Sequence, residues 1–364
     1  MSDNHRLRVL YDYPSVSMAY GGVARYICEI IHELHNDIEV KTSILFSDNV
    51  YIKELPFLKV KSLFIANKFK GKVRAQTFIN AAYANFRVLR NDFDIFHATY
   101  SDAYFLTEVK KPIVVTIHDM INEKLPQYHV SHKSHIESKK RLIYNSSQII
   151  AVSENTKKDI LEIYPINPDK ITVVHHGPPT PAKKIYNNEF GDYILYVGRR
   201  TRYKNFQFFV RSIVPLLTRF PDVKLICVGH AFTAEENQLF NELGILGKLL
   251  AVGVSDDILY SLYRNALVFV FPSIFEGFGI PILEAFANQC PVCLSNSTCF
   301  PEIAGDAALY FDGADSDSIC ASVEKIIVDK DLADELRKKG LKRLGQFSWE
   351  RAAQDTLNVY KKNA

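Results

Sequence analysis

Short apolar runs alternate with helical patterns along the first half of the chain. Apolar runs without an alternating polar face are typical of strands buried on both sides of a parallel sheet. In the helical patterns, apolar residues recur three or four positions apart and so share one face. This half of the sequence predicts strands over residues 7–11, 94–98, 112–117, 148–152 and 171–174, a helix over 23–34, and a helix opened by Ser153.

The same alternation starts again near residue 192, after a proline-rich stretch that is typical of a linker. It predicts strands over 193–197, 223–228, 249–252, 267–271 and 292–295, with helices over 205–220 and from 255 onward. Two series of alternating strands and helices predict an α/β fold with two Rossmann-like domains. The predicted parts are a first domain over 1–177, a linker over 178–191, a second domain over 192–347, and a C-terminal helix over 348–362 that packs back on the first domain.

Residues 272–284 are the most informative segment about function, and their sequence is Pro-Ser-Ile-Phe-Glu-Gly-Phe-Gly-Ile-Pro-Ile-Leu-Glu. They follow the apolar run 267–271, and Pro281 suits the first turn of a helix because its missing N–H is not needed there. The segment therefore predicts a strand, a tight glycine loop and a helix start, with Glu276 in the loop and Glu284 in the first helical turn. Gly277 and Gly279 allow a ligand to approach the backbone, and the free N–H groups suit an anion. The two carboxylates would accept hydrogen bonds from a sugar-like ligand. The alternative is an ordinary corner with solvated or capping glutamates.

Two further loops suit an anionic ligand. Gly21 and Gly22 follow the first predicted strand and open a helix, where N–H groups face outward. In the second half, Val197 is followed by Gly198-Arg199-Arg200-Thr201-Arg202-Tyr203-Lys204. A plain turn and a basic surface loop are the alternatives for these two segments. His118 ends a predicted strand and is a further candidate, although a lone histidine is more often structural. No spacing typical of zinc or calcium ligands occurs, so no metal site and no cofactor are predicted.

Composition narrows the class of protein. A chain of 364 residues with 47% hydrophobic and 23% charged residues is typical of a globular protein with two domains. No run approaches the roughly 20 apolar residues that a membrane helix needs. The first residues lead into a strand without an apolar signal region, which predicts a cytoplasmic protein.

The net charge of +3 is unevenly distributed, because residues 55–91 contain no acidic side chain. This stretch holds Lys59, Lys61, Lys68, Lys70, Lys72, Arg74, Arg87 and Arg90. It predicts contact with the anionic inner face of the cell membrane or with a phosphate-bearing acceptor. A solvated helix face is the alternative. Phe64, Ile65 and Phe69 would insert beside the charges or belong to the core. Nucleic acid is disfavoured, because the rest of the chain is not basic.

These motifs together resemble the glycosyltransferases of family 4. Their E-x7-E signature is matched by Glu276 and Glu284, their G-G-x-x-R-Y segment by 21–26, and their P-E-x-x-G-x-A-A segment by 301–308. The resemblance covers residues 7–360 and implies a GT-B fold, in which two Rossmann-like domains face each other across a cleft. It implies that Glu276 contacts the transferred sugar, Glu284 the ribose, and His118 the sugar and acceptor. Arg199 and Lys204 would hold the diphosphate, although Arg200 and Arg202 leave the choice of arginine open. The implied donor-binding residues also include Gly21, Gly22, Gly277, Phe278, Gly279 and Ile280.

The resemblance implies a retaining, metal-independent hexosyltransferase of surface polysaccharide synthesis, such as lipopolysaccharide assembly. GDP-mannose is the first expected donor, and a glycan or lipid-linked glycan is the expected acceptor. A UDP-hexose-dependent enzyme of the same fold is one alternative, and a non-catalytic nucleotide-sugar-binding protein is another. A phosphorylase or an epimerase of this fold is disfavoured by chain length and by the E-x7-E wording.

Overall fold

The computed structural model describes residues 6–62, 72–128, 133–179, 186–187, 189–253 and 255–364. The chain divides into two compact units, one made of Met1–Gly177 with Ser348–Ala364 and the other of Pro178–Phe347. Of the predicted linker, residues 180–185 and 188 lie outside the described residues. The last helix of the chain belongs to the first unit, although the whole second unit lies between this helix and the rest of the first unit in the sequence.

Each unit contains a sheet in which every paired strand is parallel. The first sheet has the order β2-β1-β3-β4-β5-β6 and the second β12-β11-β10-β7-β8-β9. The strands of the first sheet are β1 Arg8–Tyr11, β2 Glu39–Thr42, β3 Ile95–Ala98, β4 Ile113–Ile117, β5 Gln148–Ala151 and β6 Ile171–Val173. The strands of the second sheet are β7 Tyr193–Val197, β8 Lys224–Val228, β9 Leu249–Val252, β10 Val268–Phe271, β11 Val292–Ser295 and β12 Leu309–Phe311.

Helices connect the strands in both units. In chain order they are α1 Tyr13–Ser17, α2 Gly22–Leu34, α3 Lys72–Arg90, α4 Ile121–Lys124, α5 Lys133–Asn145, α6 Glu154–Ile163, α7 Phe206–Ser212, α8 Val214–Arg219, α9 Ala234–Glu242, α10 Asp256–Asn265, α11 Ile280–Ala287, α12 Phe300–Ala304, α13 Ser316–Val328, α14 Lys330–Leu344 and α15 Trp349–Asn363. None of the helices in the described segments combines the length and the apolar character needed to cross a membrane.

The burial of β1 shows why its sequence is a continuous apolar run. Val9 and Tyr11 point into one hydrophobic cluster, whereas Leu10 points into another on the opposite face of the sheet. All three side chains have no exposed surface. Both faces are therefore covered, as a parallel sheet with helices on each side requires.

The C-terminal helix α15 is held in the first unit by a cap and by buried aromatic contacts. The Ser348 hydroxyl accepts a hydrogen bond from the N–H of Arg351 and so caps the helix. At the other end, the buried Tyr360 hydroxyl donates to the Tyr11 hydroxyl. A Cβ on Gly177 would lie only 2.5 Å from Trp349. The chain therefore leaves the first unit at Gly177 in close contact with Trp349, where it has just returned to that unit.

The order of the strands defines one switch point in each sheet. In the second sheet the chain runs outward from β7 through β8 to β9, and then returns to the other side of β7 with β10. In the first sheet the corresponding point lies between β1 and β3. The loops after these strands diverge and leave a crevice at the carboxyl edge, where open parallel sheets bind ligands. These loops are therefore the places to look for a site.

Candidate functional site

The switch point of the second sheet brings together a lysine and a glutamate. Lys204 ends the loop after β7, and Glu276 lies in the loop after β10. The Lys204 Nζ lies 2.5 Å from Glu276 Oε1, and each side chain keeps 15% of its surface exposed. The two loops are also joined by the backbone, since the N–H of Ile274 donates to the Tyr203 carbonyl at 2.8 Å. A cation and a hydrogen-bond acceptor thus stand side by side, open to a ligand.

The loop after β7 contains three arginines with different surroundings. Arg200 makes a two-pronged ion pair with Glu236, with distances of 2.7 and 3.2 Å, and its guanidinium also donates to the carbonyls of His230 and Ala231. This arginine is therefore occupied in holding α9. Arg199 and Arg202 are exposed. Within the described chain the Arg199 side chain makes no ion pair, and the geometry leaves it available to an anion.

The glycine loop leads into α11 as the sequence predicts, but Glu284 lies deeper in the helix than expected. Because α11 begins at Ile280, Glu284 is its fifth residue, and the prediction that it lies in the first turn is wrong. Glu284 is 9% exposed and accepts a hydrogen bond from the buried Tyr263 hydroxyl at 3.1 Å. Gly279 precedes the helix, and no described acceptor takes the N–H groups of Gly279 and Ile280. Two donors are therefore available at the helix start.

Thr298 and Cys299, which follow β11, hold the glycine loop before α11 in place. Sequence patterns did not indicate either residue. The N–H of Glu276 donates to the Thr298 hydroxyl at 3.2 Å. The Cys299 thiol lies 3.3 Å from the Glu276 carbonyl and 3.1 Å from the Phe278 carbonyl. Thr298 has a φ of +47°, which is costly for a β-branched residue. The only signal in the sequence is position, because both residues follow a strand that neighbours β10.

Gly279 requires the absence of a side chain. Its φ is +96°, and a Cβ there would lie 3.0 Å from Ile282 Cδ1 and 3.2 Å from Phe300 Cε1. We expect Gly279→Ala to lower the free energy of unfolding by about 1–2 kcal/mol, the cost of a left-handed φ for alanine. Gly247→Ala is the control, because Gly247 has an ordinary φ and open space around its Cβ. Calorimetric unfolding of both variants checks this, and equal losses of stability would contradict it.

A cavity of about 520 Å³ lies beside the loop after β10. Its lining combines hydroxyls and a carboxylate with an aromatic face, from Ile274, Ser295, Asn296, Ser297, Tyr310, Phe311, Asp312, Gly313, Ala314 and Ser318. The Asn205 side chain donates to the Gly313 carbonyl at 2.8 Å, which links this cavity to the loop after β7. The cavity is a second position in this unit where a polar ligand would fit.

The remaining predicted residues, Gly21, Gly22 and His118, belong to the first unit. Gly21 has a φ of +123° and precedes α2 as its capping residue, and both glycines are exposed. His118 follows β4 and is half-buried, with Nε2 lying 3.4 Å from the Thr99 carbonyl. Its ring packs edge-on against Tyr26 of α2, with ring centroids 5.4 Å apart. The histidine is therefore tied to the helix that the two glycines open.

Burial lowers the pKa of His118 to about 4, despite the opposing effect of the Asp119 carboxylate. The same cause lowers the pKa of His97 to about 3. His97 is fully buried between the hydroxyls of Tyr360 and Thr116, so it is a structural residue. His118 is the one with an accessible side. Both rings are neutral at pH 7.

The lowered pKa of His118 predicts that acid weakens the fold. An unfolded chain protonates this histidine below about pH 6.5, whereas the folded chain does so only near pH 4. Between these values the unfolded state binds more protons, so the free energy of unfolding falls as the pH is lowered, by up to about 1.4 kcal/mol per pH unit. His118→Gln lacks this titration. We expect the stability advantage of the wild type over His118→Gln to shrink from pH 6.5 to pH 4, and a constant difference would contradict the neutral state.

A buried carboxyl lies at the switch point of the first sheet and was also missed from the sequence. Asp12 follows β1, and its Oδ1 accepts hydrogen bonds from the Tyr104 hydroxyl at 2.6 Å and the Tyr13 N–H at 2.8 Å. Its Oδ2 is buried and has no hydrogen-bond partner among the described residues. Burial raises the pKa of Asp12 to about 8, so this carboxyl is protonated at neutral pH. Tyr104 lies far along the chain, and no local motif links the two.

Three carboxylates elsewhere, those of Asp92, Asp94 and Asp315, are engaged in structural contacts. The pair Asp92 and Asp94 binds Lys41 and Arg8, at 3.2 and 2.7 Å, and Asp315 caps α13. Across the described segments, no group of three or more His, Cys, Asp or Glu side chains is placed to hold a metal ion. Independence of the reaction from metal remains a prediction.

Two family models match the chain over adjoining ranges. The model described as Glycosyl transferases group 1 matches residues 181–343. The model described as Glycosyltransferase Family 4 matches residues 20–180. The chain belongs to the family 4 glycosyltransferases. Both the Lys204–Glu276 pair and the loop before α11 lie in the group 1 match, and Gly21, Gly22 and His118 lie in the other.

Relatives of this family 4 glycosyltransferase include mannosyltransferases. The O-antigen chain mannosyltransferase B of Escherichia coli is 27% identical over 384 residues, which cover 98% of this chain and 100% of the relative. The MMP alpha-(1->4)-mannosyltransferase of Mycolicibacterium hassiacum is 26% identical over 75% of this chain and 71% of its own length.

A solved structure shows the same fold. The Anabaena protein HepE in complex with UDP and glucose has a TM-score of 0.76 at 15% identity, covering 98% of this chain and 100% of that protein. Together with the two parallel sheets, this likeness confirms the predicted GT-B fold. The family 4 glycosyltransferase therefore has the architecture that its sequence predicted.

Proposed function

We propose that this glycosyltransferase is a retaining, metal-independent mannosyltransferase. It transfers mannose from GDP-mannose to a glycan or a lipid-linked glycan during assembly of a surface polysaccharide such as lipopolysaccharide. The observation that carries the proposal is the Lys204–Glu276 ion pair at the switch point of the second sheet. A sugar diphosphate needs a cation for its phosphates and an acceptor for its sugar hydroxyls, and this pair supplies both.

The surroundings of the pair suit the rest of the donor. Arg199 is exposed in the same loop, five residues before Lys204, and supplies a second cation for the diphosphate in this proposal. The N–H groups of Gly279 and Ile280 at the start of α11 suit phosphate oxygens. Glu284 accepts a hydrogen bond from Tyr263, which orients its carboxylate toward a ribose hydroxyl in this proposal. Gly277 and Phe278 contribute backbone contacts beside Glu276.

In the proposed reaction, the acceptor hydroxyl attacks C1 of the sugar on the face from which the diphosphate leaves. The bond between C1 and the phosphate oxygen breaks, its electron pair stays with the phosphate, and a new C1–O bond forms with retention. The departing phosphate oxygen takes the proton of the acceptor hydroxyl. Lys204 and Arg199 stabilise the negative charge that grows on the leaving GDP. Glu276 holds the sugar hydroxyls in this scheme and is not the nucleophile.

Mannose is favoured as the transferred sugar by the names of the relatives. O-antigen chain mannosyltransferase B matches nearly the whole chain, and a second mannosyltransferase matches three quarters of it. The roles predicted for Gly21, Gly22 and His118, which belong to the other unit, stay predictions. A lipid-linked acceptor would bring the enzyme to the cytoplasmic face of the membrane, the location that the sequence predicts.

The proposal is tested by incubating the enzyme with GDP-mannose, UDP-glucose, UDP-galactose and ADP-glucose, without acceptor and with methyl mannoside as a probe acceptor. We expect nucleotide release to be fastest with GDP-mannose and the mannosylated product to keep the α configuration in its NMR spectrum. Faster release from a UDP-hexose would establish the alternative donor. Tight binding of a donor without release or transfer under any condition would indicate a binding protein.

Chelation is expected to leave the reaction rate unchanged. Lys204, Arg199 and the helix start supply the positive charge that a divalent cation supplies to a diphosphate in other enzymes. The measurement compares initial rates before and after dialysis against EDTA. Activity that disappears on chelation and returns with manganese or magnesium would contradict the metal-independent scheme.

A further inference from the structure

The helix α3 presents its apolar side to solvent and its more polar side to the protein. Phe78, Phe86 and Leu89 are 75%, 54% and 68% exposed, and they lie within about a quarter of the helix circumference. The buried positions of α3 are Gln76, Asn80, Ala84 and Val88. Two of these four are polar, and the large apolar side chains face solvent, whereas a surface helix is expected to turn its apolar stripe toward the core.

Specific polar contacts fix α3 in this orientation. The Asn80 side-chain oxygen accepts hydrogen bonds from the N–H groups of Leu45 and Phe46, both at 3.1 Å. The Asn80 side-chain nitrogen donates to the Phe46 carbonyl at 2.8 Å. A buried asparagine that satisfies three backbone groups would lose these bonds if the helix rotated to hide its phenylalanines. The outward apolar stripe is therefore built into the fold.

The charges on α3 are all of one sign. Its 19 residues contain no acidic side chain, and its two ends carry the exposed Arg74 and Arg90. The Arg90 guanidinium reaches Asp92 only at 3.8 Å and keeps 58% of its side chain exposed. No described residue pairs with the Arg74 guanidinium. The apolar stripe is thus bordered at both ends by positive charge.

We propose that α3 lies on an anionic membrane, with Phe78, Phe86 and Leu89 inserted among the lipids and Arg74 and Arg90 at the headgroups. Interfacial helices combine these features, an apolar face of aromatic and leucine side chains with basic residues beside it. At about 1.5 Å per residue the helix extends roughly 28 Å along the surface. Phe64, Ile65 and Phe69, which the sequence predicts to insert beside the charges or to belong to the core, lie outside the described residues.

A second copy of the chain fits this face less well. Two α3 helices packed together would bring arginines near arginines in either direction, and no acid on the helix would offset them. An anionic lipid surface satisfies both features, because it accepts the apolar stripe and neutralises the arginines. The proposal concerns where the protein lies and does not depend on which sugar it transfers.

The test is cosedimentation of the full chain, without donor or acceptor, with vesicles of phosphatidylcholine alone or mixed with phosphatidylglycerol. Two variants are compared with wild type, Phe78→Ser/Phe86→Ser/Leu89→Ser and Arg74→Gln/Arg90→Gln. Their controls change exposed residues of the second unit in the same way, Ile258→Ser/Val328→Ser/Leu341→Ser and Lys325→Gln/Lys338→Gln.

We expect wild type to bind the mixed vesicles and to lose this binding at about 1 M salt, where the screening length is about 3 Å. The serine variant is expected to bind at least about tenfold more weakly, and the glutamine variant about tenfold more weakly at low salt only. Both controls should bind like wild type. Sugar transfer to a soluble probe acceptor should be unchanged in the serine variant, which separates this proposal from the proposed function.

Equal binding of wild type to mixed and neutral vesicles at low salt would overturn the proposal. Wild-type binding by the serine variant would overturn it too, because another surface would then hold the membrane. Sedimentation velocity gives a third outcome. A wild-type dimer that becomes a monomer in the serine variant, without vesicle binding by either, would show that a second copy covers this face.

Discussion

Glu276→Gln is expected to lower kcat for mannosyl transfer by about 10²–10³ without unfolding the protein. The substitution keeps the shape of the side chain but removes its charge. The amide is a weaker acceptor for sugar hydroxyls, and it leaves the Lys204 ammonium without the partner that lies 2.5 Å away. The Glu276 backbone should stay in place, because Thr298 and Cys299 hold it independently of the side chain.

The matched control is Glu242→Gln, which changes an exposed glutamate on α9 of the same unit. This variant should keep wild-type turnover. Circular dichroism and thermal unfolding of all three proteins separate loss of chemistry from loss of fold. A folded Glu276→Gln enzyme with near-wild-type turnover would remove Glu276 from the reaction.

Lys204→Met is expected to lower kcat/KM by about 10²–10³, because the leaving diphosphate loses the cation that stabilises its growing charge. Methionine keeps most of the length of the side chain, so the packing of Lys204 beside Tyr203 and Phe271 should survive. Binding of GDP, measured by calorimetry, should weaken along with the rate. Initial rates with GDP-mannose give the size of the effect.

Two further variants sharpen this result. Lys204→Arg keeps the charge and should recover part of the lost activity, since the two cations are not equivalent in shape. Lys325→Met changes an exposed lysine of the same unit and should behave as wild type. A Lys204→Met enzyme that binds GDP and turns over as wild type does would show that the diphosphate lies elsewhere.

The central strands were predictable because burial on both faces leaves a simple pattern in the sequence. β7 and β11 begin and end at the predicted residues, and β1, β3 and β10 differ by a residue at one end. The two strands that were missed, β2 and β12, are edge strands. Their sequences Glu-Val-Lys-Thr and Leu-Tyr-Phe are half-exposed and short, so neither forms an apolar run.

Local backbone chemistry explains the errors among the helices. Residues 205–220 were predicted as one helix, but the structure has α7 and α8 with a break at Ile213. Pro215 lies in the first turn of α8, where a proline starts a helix more readily than it continues one. The position of Glu284 was misjudged for a related reason. The left-handed Gly279 cannot belong to the helix, and α11 therefore starts at Ile280.

Some residues of the candidate site were predictable from local sequence patterns, whereas others depend on partners that are distant in the chain. Glu276 and Lys204 each lie in a loop that follows a recognisable strand, so their type and position were visible in the sequence. Their contact depends on β7 and β10 being neighbours, which follows from the strand order. Thr298 and the pair Asp12 and Tyr104 were not predictable, because each acts through a partner distant in the chain.

A crystal structure of the enzyme with GDP-mannose tests the central claim most directly. The account predicts the diphosphate within hydrogen-bonding distance of the Lys204 ammonium and of the Gly279 N–H, with the mannose hydroxyls at Glu276 and the ribose at Glu284. A nucleotide bound instead in the cavity lined by Ile274 and Ser295, with Lys204 and Glu276 still paired and away from it, would contradict the account.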